Sequence, residues 1–198
     1  MSWLGIILTF SLVDNVVLSR MLGICPCVGA PRGMKSALGV GAATALLMSV
    51  SALAGWMIQS LVLDPLGVGF LRTPAFVLSV ACLAWILEAL ARRTAPDLLR
   101  AAGFPVAGIA LNCAALGAAL LVVKGGFGAL GSLVAGLSAG AGFFIVTVLL
   151  SAIRDRLEVE KVPEPLRGLP LHLISAGLLA FAFVAFDRAF LARMLHGW

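Results

Sequence analysis

The sequence predicts an all-α integral membrane protein of six transmembrane helices, arranged as two inverted three-helix repeats with interrupted helices at the cysteine motifs. Three observations carry that expectation. The 198-residue chain is 62% hydrophobic and only 12% charged, against about 45–50% apolar and about 25% charged residues in a soluble domain. Its apolar residues gather into six stretches of spanning length. A C-x-x-x-G pattern, at Cys25–Gly29 and again at Cys113–Gly117, recurs 88 residues apart. A soluble monomer of this composition would leave much of its apolar surface in water. Disorder needs low hydrophobicity, so that class is excluded too.

The six stretches run Trp3–Leu18, Ala37–Leu63, Thr73–Ala91, Leu99–Val123, Phe127–Ile153 and Leu169–Phe190. Between them stand basic or Pro/Gly-containing segments: Arg32 to Lys35, Asp64-Pro65, Arg92 to Pro96, Lys124 to Gly126, and Arg154 to Arg167. The first stretch has no basic run before it and no small-residue cleavage pattern after it, so it reads as a retained span. The net charge of +5 is scattered without aromatic interleaving, which speaks against a nucleic-acid partner. Ten of the fourteen Lys and Arg fall in or at the edge of the first, third and fifth connections (Arg100 being the second residue of the fourth stretch) and four on the other side. Lys and Arg accumulate in cytoplasmic loops, so this bias puts the odd connections in the cytoplasm and both termini outside.

Shifted by 88 residues, the second apolar stretch falls on the fifth. The third and sixth need a larger shift, because the connection at 154–168 is longer than that at 64–72. The chain thus reads as one membrane domain, 1–198, made of a first repeat, 1–95, and a second, 96–198. Three spans per repeat turn the second upside down, and sites in such folds lie near the midplane on interrupted helices. The interruptions are legible. Gly23, Pro26 and Gly29 break the apolar run around Cys25 and Cys27, and Gly103, Pro105 and Gly108 precede Cys113. Proline removes a backbone donor, and irregular backbone at membrane depth is tolerated only when buried in protein or lining a cavity.

Of the four cysteines, Cys82 lies mid-span among small apolar residues and reads as packing. Cys25 and Cys113 occupy equivalent places in the two halves, where a pseudo-two-fold axis would bring them together. Two thiolates can share an iron or an iron–sulfur cluster, but a cluster takes four, so a second subunit would supply the rest. Cys27 is a third thiol beside such a site, or packing. Neither His172 nor His196 forms a ligand cluster. Ionisable groups inside spans are costly and are functional candidates by default. Asp14 is therefore a candidate ion or proton relay, or else a paired packing acid. Glu88 is a candidate relay too, but its spacing from Arg92 favours an interfacial i,i+4 pair. The small-residue runs at 39–43 and 135–142 read as close helix packing.

These residues resemble a known family. The matching stretches are Asp14-Asn15, LGICP at 22–26, Lys35, LRTPAF at 71–76, Glu88, ARRTAP at 91–96, LNCAALGAALL at 111–121, AIRDRLEVEKVPEPLRG at 152–168 and LISAGLLAFAF at 173–183. Over nearly its whole length the chain resembles the A-type and E-type membrane subunits of the bacterial Rnf (Rsx) ferredoxin–NAD complex. It is similar also to the D-type and E-type subunits of the sodium-translocating NADH:quinone reductase. NCAALGAALL and the compact VPEPLRG loop look more like the A-type than the E-type Rnf subunit. The resemblance implies six spans in two inverted halves, with both termini periplasmic in the bacterial inner membrane. It implies pairing with the E-type Rnf subunit, beside the B-, C-, D- and G-type subunits. It implies a [2Fe-2S] cluster shared with that E-type partner, with Cys25 and Cys113 as this chain's ligands, and electron flow between ferredoxin and NAD(H) coupled to Na⁺ or H⁺ movement. Two residues depart from the expected pattern: Cys27 replaces a bulky apolar residue, and Asp14 the asparagine usual in the A-type subunit, although the quinone-reductase relatives carry an acid there. Backbone donors near Gly23, Gly29 and Gly117 would shield the sulfurs and tune the potential, since hydrogen bonds to sulfur set it. No covalent-flavin motif is present, so no flavin is expected on this chain. Catalysis is expected of the complex and not of the chain alone. The rival readings are a small inverted-repeat transporter or channel and a structural assembly subunit.

Overall fold

A computed structural model describes residues 7, 10–11, 15–23, 33–67, 69–94, 113–159 and 168–183. The described residues are mostly helical, with no strand among them. Five main helices are seen: α1 (Met34–Ile58), α2 (Arg72–Thr94), α3 (Cys113–Lys124), α4 (Ala129–Val159) and α5 (Leu169–Phe183). Three stretches among the described residues are long and apolar enough to cross a bilayer: Met34–Leu63, Gly69–Leu90 and Ala129–Leu157. They coincide with the second, third and fifth apolar stretches of the sequence. Of the fourth and sixth, the described parts are the shorter apolar helices α3 and α5. Chain composition and these helices together make an all-α membrane protein.

Glycines and π geometry mark the helix ends. Gly33, at φ 114°, begins α1 and its carbonyl accepts the N–H groups of Ser36 and Ala37. α1 ends in a π turn, Gln59–Leu63, and a last helical turn, Asp64–Leu66, closed by Gly67 at φ 67°, the left-handed conformation that suits glycine. At this corner Gln59 Nε2 donates to Asp64 Oδ1, and Arg72 Nε donates to Gln59 Oε1 at 3.0 Å, tying α1 to the start of α2.

α4 is the spine. It packs along α1, which in turn packs on α3. The packing register gives the directions. A Cβ built on Gly140 would stand 2.7 Å from the Ala45 carbonyl oxygen, one on Gly136 3.1 Å from Ser49 Cα, and one on Gly41 2.9 Å from Phe144 Cδ2. Rising positions on α1 meet falling positions on α4, so the two run antiparallel. Ser51 Oγ donates to the Ala115 carbonyl, and Gly55 lies against Ala119, so α1 and α3 run parallel. Lipid chains are as apolar as leucine, so packing and hydrogen bonds, not the hydrophobic effect, hold such helices together. Gly136 and Gly140, four residues apart, let α4 approach the α1 backbone. Three buried hydroxyls bond back within their own helices: Ser49 to Ala45 O, Ser138 to Val134 O and Thr147 to Phe143 O. α2 turns Phe76, Val80 and Ala84 inward and leaves Leu78, Trp85 and Ile86 on its outer face.

Candidate functional site

The site is built where the end of the first apolar stretch meets α3 and α4. Sequence pattern alone extends that stretch to Leu18, but residues 15–23 form hydrogen-bonded turns. Asn15 is the cause. Its side chain is buried; Oδ1 accepts the Val17 N–H at 3.1 Å and Nδ2 donates to the Ser11 carbonyl at 3.0 Å. A side chain that takes a backbone N–H two residues on competes with the helical ladder. The Asn15 carbonyl accepts both the N–H and the hydroxyl of Ser19, and the Leu22 N–H reaches back to the Val16 carbonyl at 3.1 Å. The reversal finishes on Met21 at φ 54° and Gly23 at φ 90°. Left-handed backbone is uncommon for a non-glycine residue and is stored where surrounding structure over-determines it.

The outcome is a contact between the two halves of the sequence. The Gly23 N–H donates to Cys113 Sγ at 3.0 Å. Cys113 is half-buried, forms no disulfide and is the first described residue of α3. One turn on, Gly117 accommodates the turn from below: a Cβ there would stand 2.7 Å from Leu22 Cδ1 and 3.5 Å from Val16 Cγ1. From α4, Gly142 lies against the Ser11 carbonyl and the Asn15 amide, and Phe143 lies against Gly23.

Of the sequence-predicted site residues, Gly23, Cys113 and Gly117 are brought together. Glu88 is apart from them, on α2, where its Oε1 accepts Arg92 Nε at 3.0 Å and a second bond from Arg92 Nη2. Cys82 is exposed on α2. Cys25, Cys27, Asp14 and Gly29 lie outside the described residues. Asn15, Phe143 and Gly142 were not singled out as site residues from sequence. An asparagine in an apolar run is a signal for the first; Gly142 ends the small-residue run read as close packing, and nothing in the sequence marks Phe143.

The chemistry can be tested against an iron–sulfur group. A half-buried sulfur that accepts a backbone N–H suits a thiolate ligand, whose potential such bonds adjust. Among the described residues no group of three or more His, Cys, Asp or Glu stands close enough to hold a metal ion. Cys113 therefore fits as one ligand, with the remaining ligands to come from elsewhere in this chain or from another.

Comparison with known proteins agrees over most of the chain. The family model described as "Rnf-Nqr subunit, membrane protein" matches residues 3–189. A Serratia proteamaculans protein, named as the A subunit of the ion-translocating oxidoreductase complex, is 44% identical over 175 residues, covering 88% of this chain and 91% of its own. The Cereibacter sphaeroides protein of the same name is 41% identical over 181 residues, covering 91% of this chain and 94% of its own. That from Yersinia pseudotuberculosis is 43% identical over 175 residues, covering 88% of this chain and 91% of its own. The chain belongs to the Rnf-Nqr family of membrane-protein subunits.

Proposed function

We propose that this chain is the electron-carrying membrane subunit of an ion-translocating oxidoreductase complex of the Rnf type. In this reading Cys25 and Cys113 supply two ligands of a [2Fe-2S] cluster, and the E-type Rnf subunit, the paralogue named by the resemblance, supplies the other two. When bound, the cluster would accept and release one electron inside the bilayer, linking ferredoxin and NAD(H) chemistry on one side to the other subunits (the B, C, D and G types). The carrying observation is the bond from the Gly23 amide to Cys113 Sγ. It joins the breaker segment two residues before Cys25 to the second cysteine.

The chain's own residues have three tasks here. The thiols ligate, the Gly23 amide directs a positive dipole end at one sulfur, and Ala114 and Phe143 pack on the Gly23 residue that carries that amide. Gly29 would serve beside Cys25 as Gly23 does beside Cys113, Gly117 makes room for the turn, and Cys27 is a third thiol nearby. Asp14 and Glu88 are the ionisable groups through which ion or proton movement would couple.

The inverted-repeat architecture belongs to the same proposal: six spans, halves at 1–95 and 96–198, and both termini on the periplasmic side of the inner membrane. The α1–α4 register supports it. A shift of 88 relates the helices by an axis passing between Met48 and Ser49 on one and between Gly136 and Leu137 on the other. Ser49 Cα and the Met48 carbonyl are among the atoms that a Gly136 Cβ would meet.

The test is spectroscopic. The purified complex is expected to give an iron–sulfur EPR signal that disappears in Cys25→Ser and in Cys113→Ser. A signal intact in both variants rules the proposal out. Solute flux through the isolated chain in liposomes would support the transporter reading instead.

A further inference from the structure

Phe143 packs on the residue whose amide bonds Cys113. A Cβ at Gly23 would stand 2.7 Å from Phe143 Cε2, 3.4 Å from its Cδ2 and 2.8 Å from Ala114 Cβ. The ring edge and the Ala114 methyl group therefore close around the Gly23 α-carbon, from α4 and α3 respectively. Phe143 itself is fully buried in the core. The neighbouring Gly142 abuts the Ser11 carbonyl and the Asn15 amide at the other end of the same turn. At φ 90° Gly23 has no side chain to anchor it, so the direction of its N–H is set by what packs on the peptide.

We propose that Phe143 is a positioning residue whose ring holds the Gly23 amide on the Cys113 sulfur and so raises the reduction potential of the group ligated there. This rests on the cysteine-ligand reading above. The positive end of an N–H dipole at a sulfur favours the more negative, reduced form, and hydrogen bonds to sulfur are one of the levers on cluster potential. Removing the ring frees the peptide to turn. The amide then swings away from the sulfur and the potential falls.

The experiment is an EPR-monitored redox titration of the purified complex carrying Phe143→Leu or Phe143→Ala, with Val146→Ala as a control. Val146 is a fully buried residue of the same helix. Both Phe143 variants are expected to shift the midpoint to more negative potential, alanine further than leucine, and the control to leave it in place. If Phe143→Ala fails to assemble, Phe143→Leu carries the test, because it keeps an apolar side chain in the core. An unchanged midpoint in an assembled Phe143 variant overturns the proposal. A second readout needs no cluster: hydrogen exchange at the Gly23 amide in the full chain, labelled with ¹⁵N-glycine. Exchange is expected to speed up in Phe143→Ala to the rate seen in Cys113→Ala; exchange as slow as in the unsubstituted chain refutes the clamp. The two failures are distinguishable. A signal that survives Cys113→Ser overturns the ligand reading and with it the effect on potential, while the exchange measurement still decides whether Phe143 holds the amide.

Discussion

Replacing Gly140 by alanine tests how α1 and α4 are held. The added methyl carbon would stand 2.7 Å from the Ala45 carbonyl oxygen, 3.0 Å from its Cα and 3.2 Å from its carbonyl carbon. All three are backbone atoms, so no rotamer change relieves the contact. Carbon pairs settle at about 3.5–4.0 Å, so the helices must part by at least about 0.5 Å, and a gap of that size forfeits about a quarter of each contact's attraction along the shared face. Overpacking of this kind costs about 1–3 kcal/mol. In lipid no hydrophobic term compensates, because packing is itself the main attraction between helices. Taking about 2 kcal/mol, and about 2–4 °C per kcal/mol for a chain of this size, the apparent Tm should fall by about 4–8 °C. The assay is a thermal scan of the purified protein in detergent. Gly177→Ala on α5 is the control, since a Cβ there meets nothing within 4 Å among the described residues. A Gly140→Ala protein that melts with the unsubstituted one, or a Gly177→Ala protein that falls as far, would falsify the packing account.

Other substitutions follow from the same geometry. Thr44 is fully buried and its Oγ1 has no hydrogen-bond partner among the described residues, so Thr44→Val removes an uncompensated hydroxyl and should stabilise the protein by about 1 kcal/mol, read as a raised Tm in the same scan. Gly23→Ala places a methyl group against Phe143 and Ala114 at a left-handed position that alone costs about 1–2 kcal/mol; a lowered Tm and a weakened EPR signal are expected, and an unchanged protein on both counts would contradict the described turn. Asp14→Asn should slow ion movement driven by NADH oxidation in vesicles, and unchanged electron transfer and pumping would remove Asp14 from the coupling path.

How much was legible in the sequence depended on how local the cause was. The spans of α1, α2 and α4 are long unbroken apolar runs, and their presence needs only the length of a bilayer. Gly23 was legible as a breaker, and Cys113 as half of a repeated motif. The early end of the first apolar stretch was not, because hydropathy averages over Asn15, whose amide redirects the backbone through bonds to Ser11 and Val17. Phe143 was invisible for a different reason. It is one of several large apolar residues in a run, and only the folded arrangement brings it to Gly23, 120 positions earlier. Glu88 shows the opposite case: an i,i+4 spacing to Arg92 is a purely local relation, and the pair forms.

The length of α4 acts as a depth gauge. Its 31 residues extend about 46 Å at 1.5 Å per residue, well beyond a hydrocarbon thickness of about 30 Å. Even tilted by about 20° it overreaches by about two and a half turns. Its C-terminal end carries Arg154, Asp155 and Arg156, side chains that belong at the level of the lipid headgroups. Phe143 lies eleven residues before Arg154, about 16 Å down the helix axis, which is about half the hydrocarbon thickness. Because Phe143 packs on Gly23 and Gly23 bonds Cys113, anchoring the basic end of this helix at the headgroups would set the sulfur at a comparable distance from both aqueous phases. A carrier anchored there would divide the insulating layer into two steps of similar length.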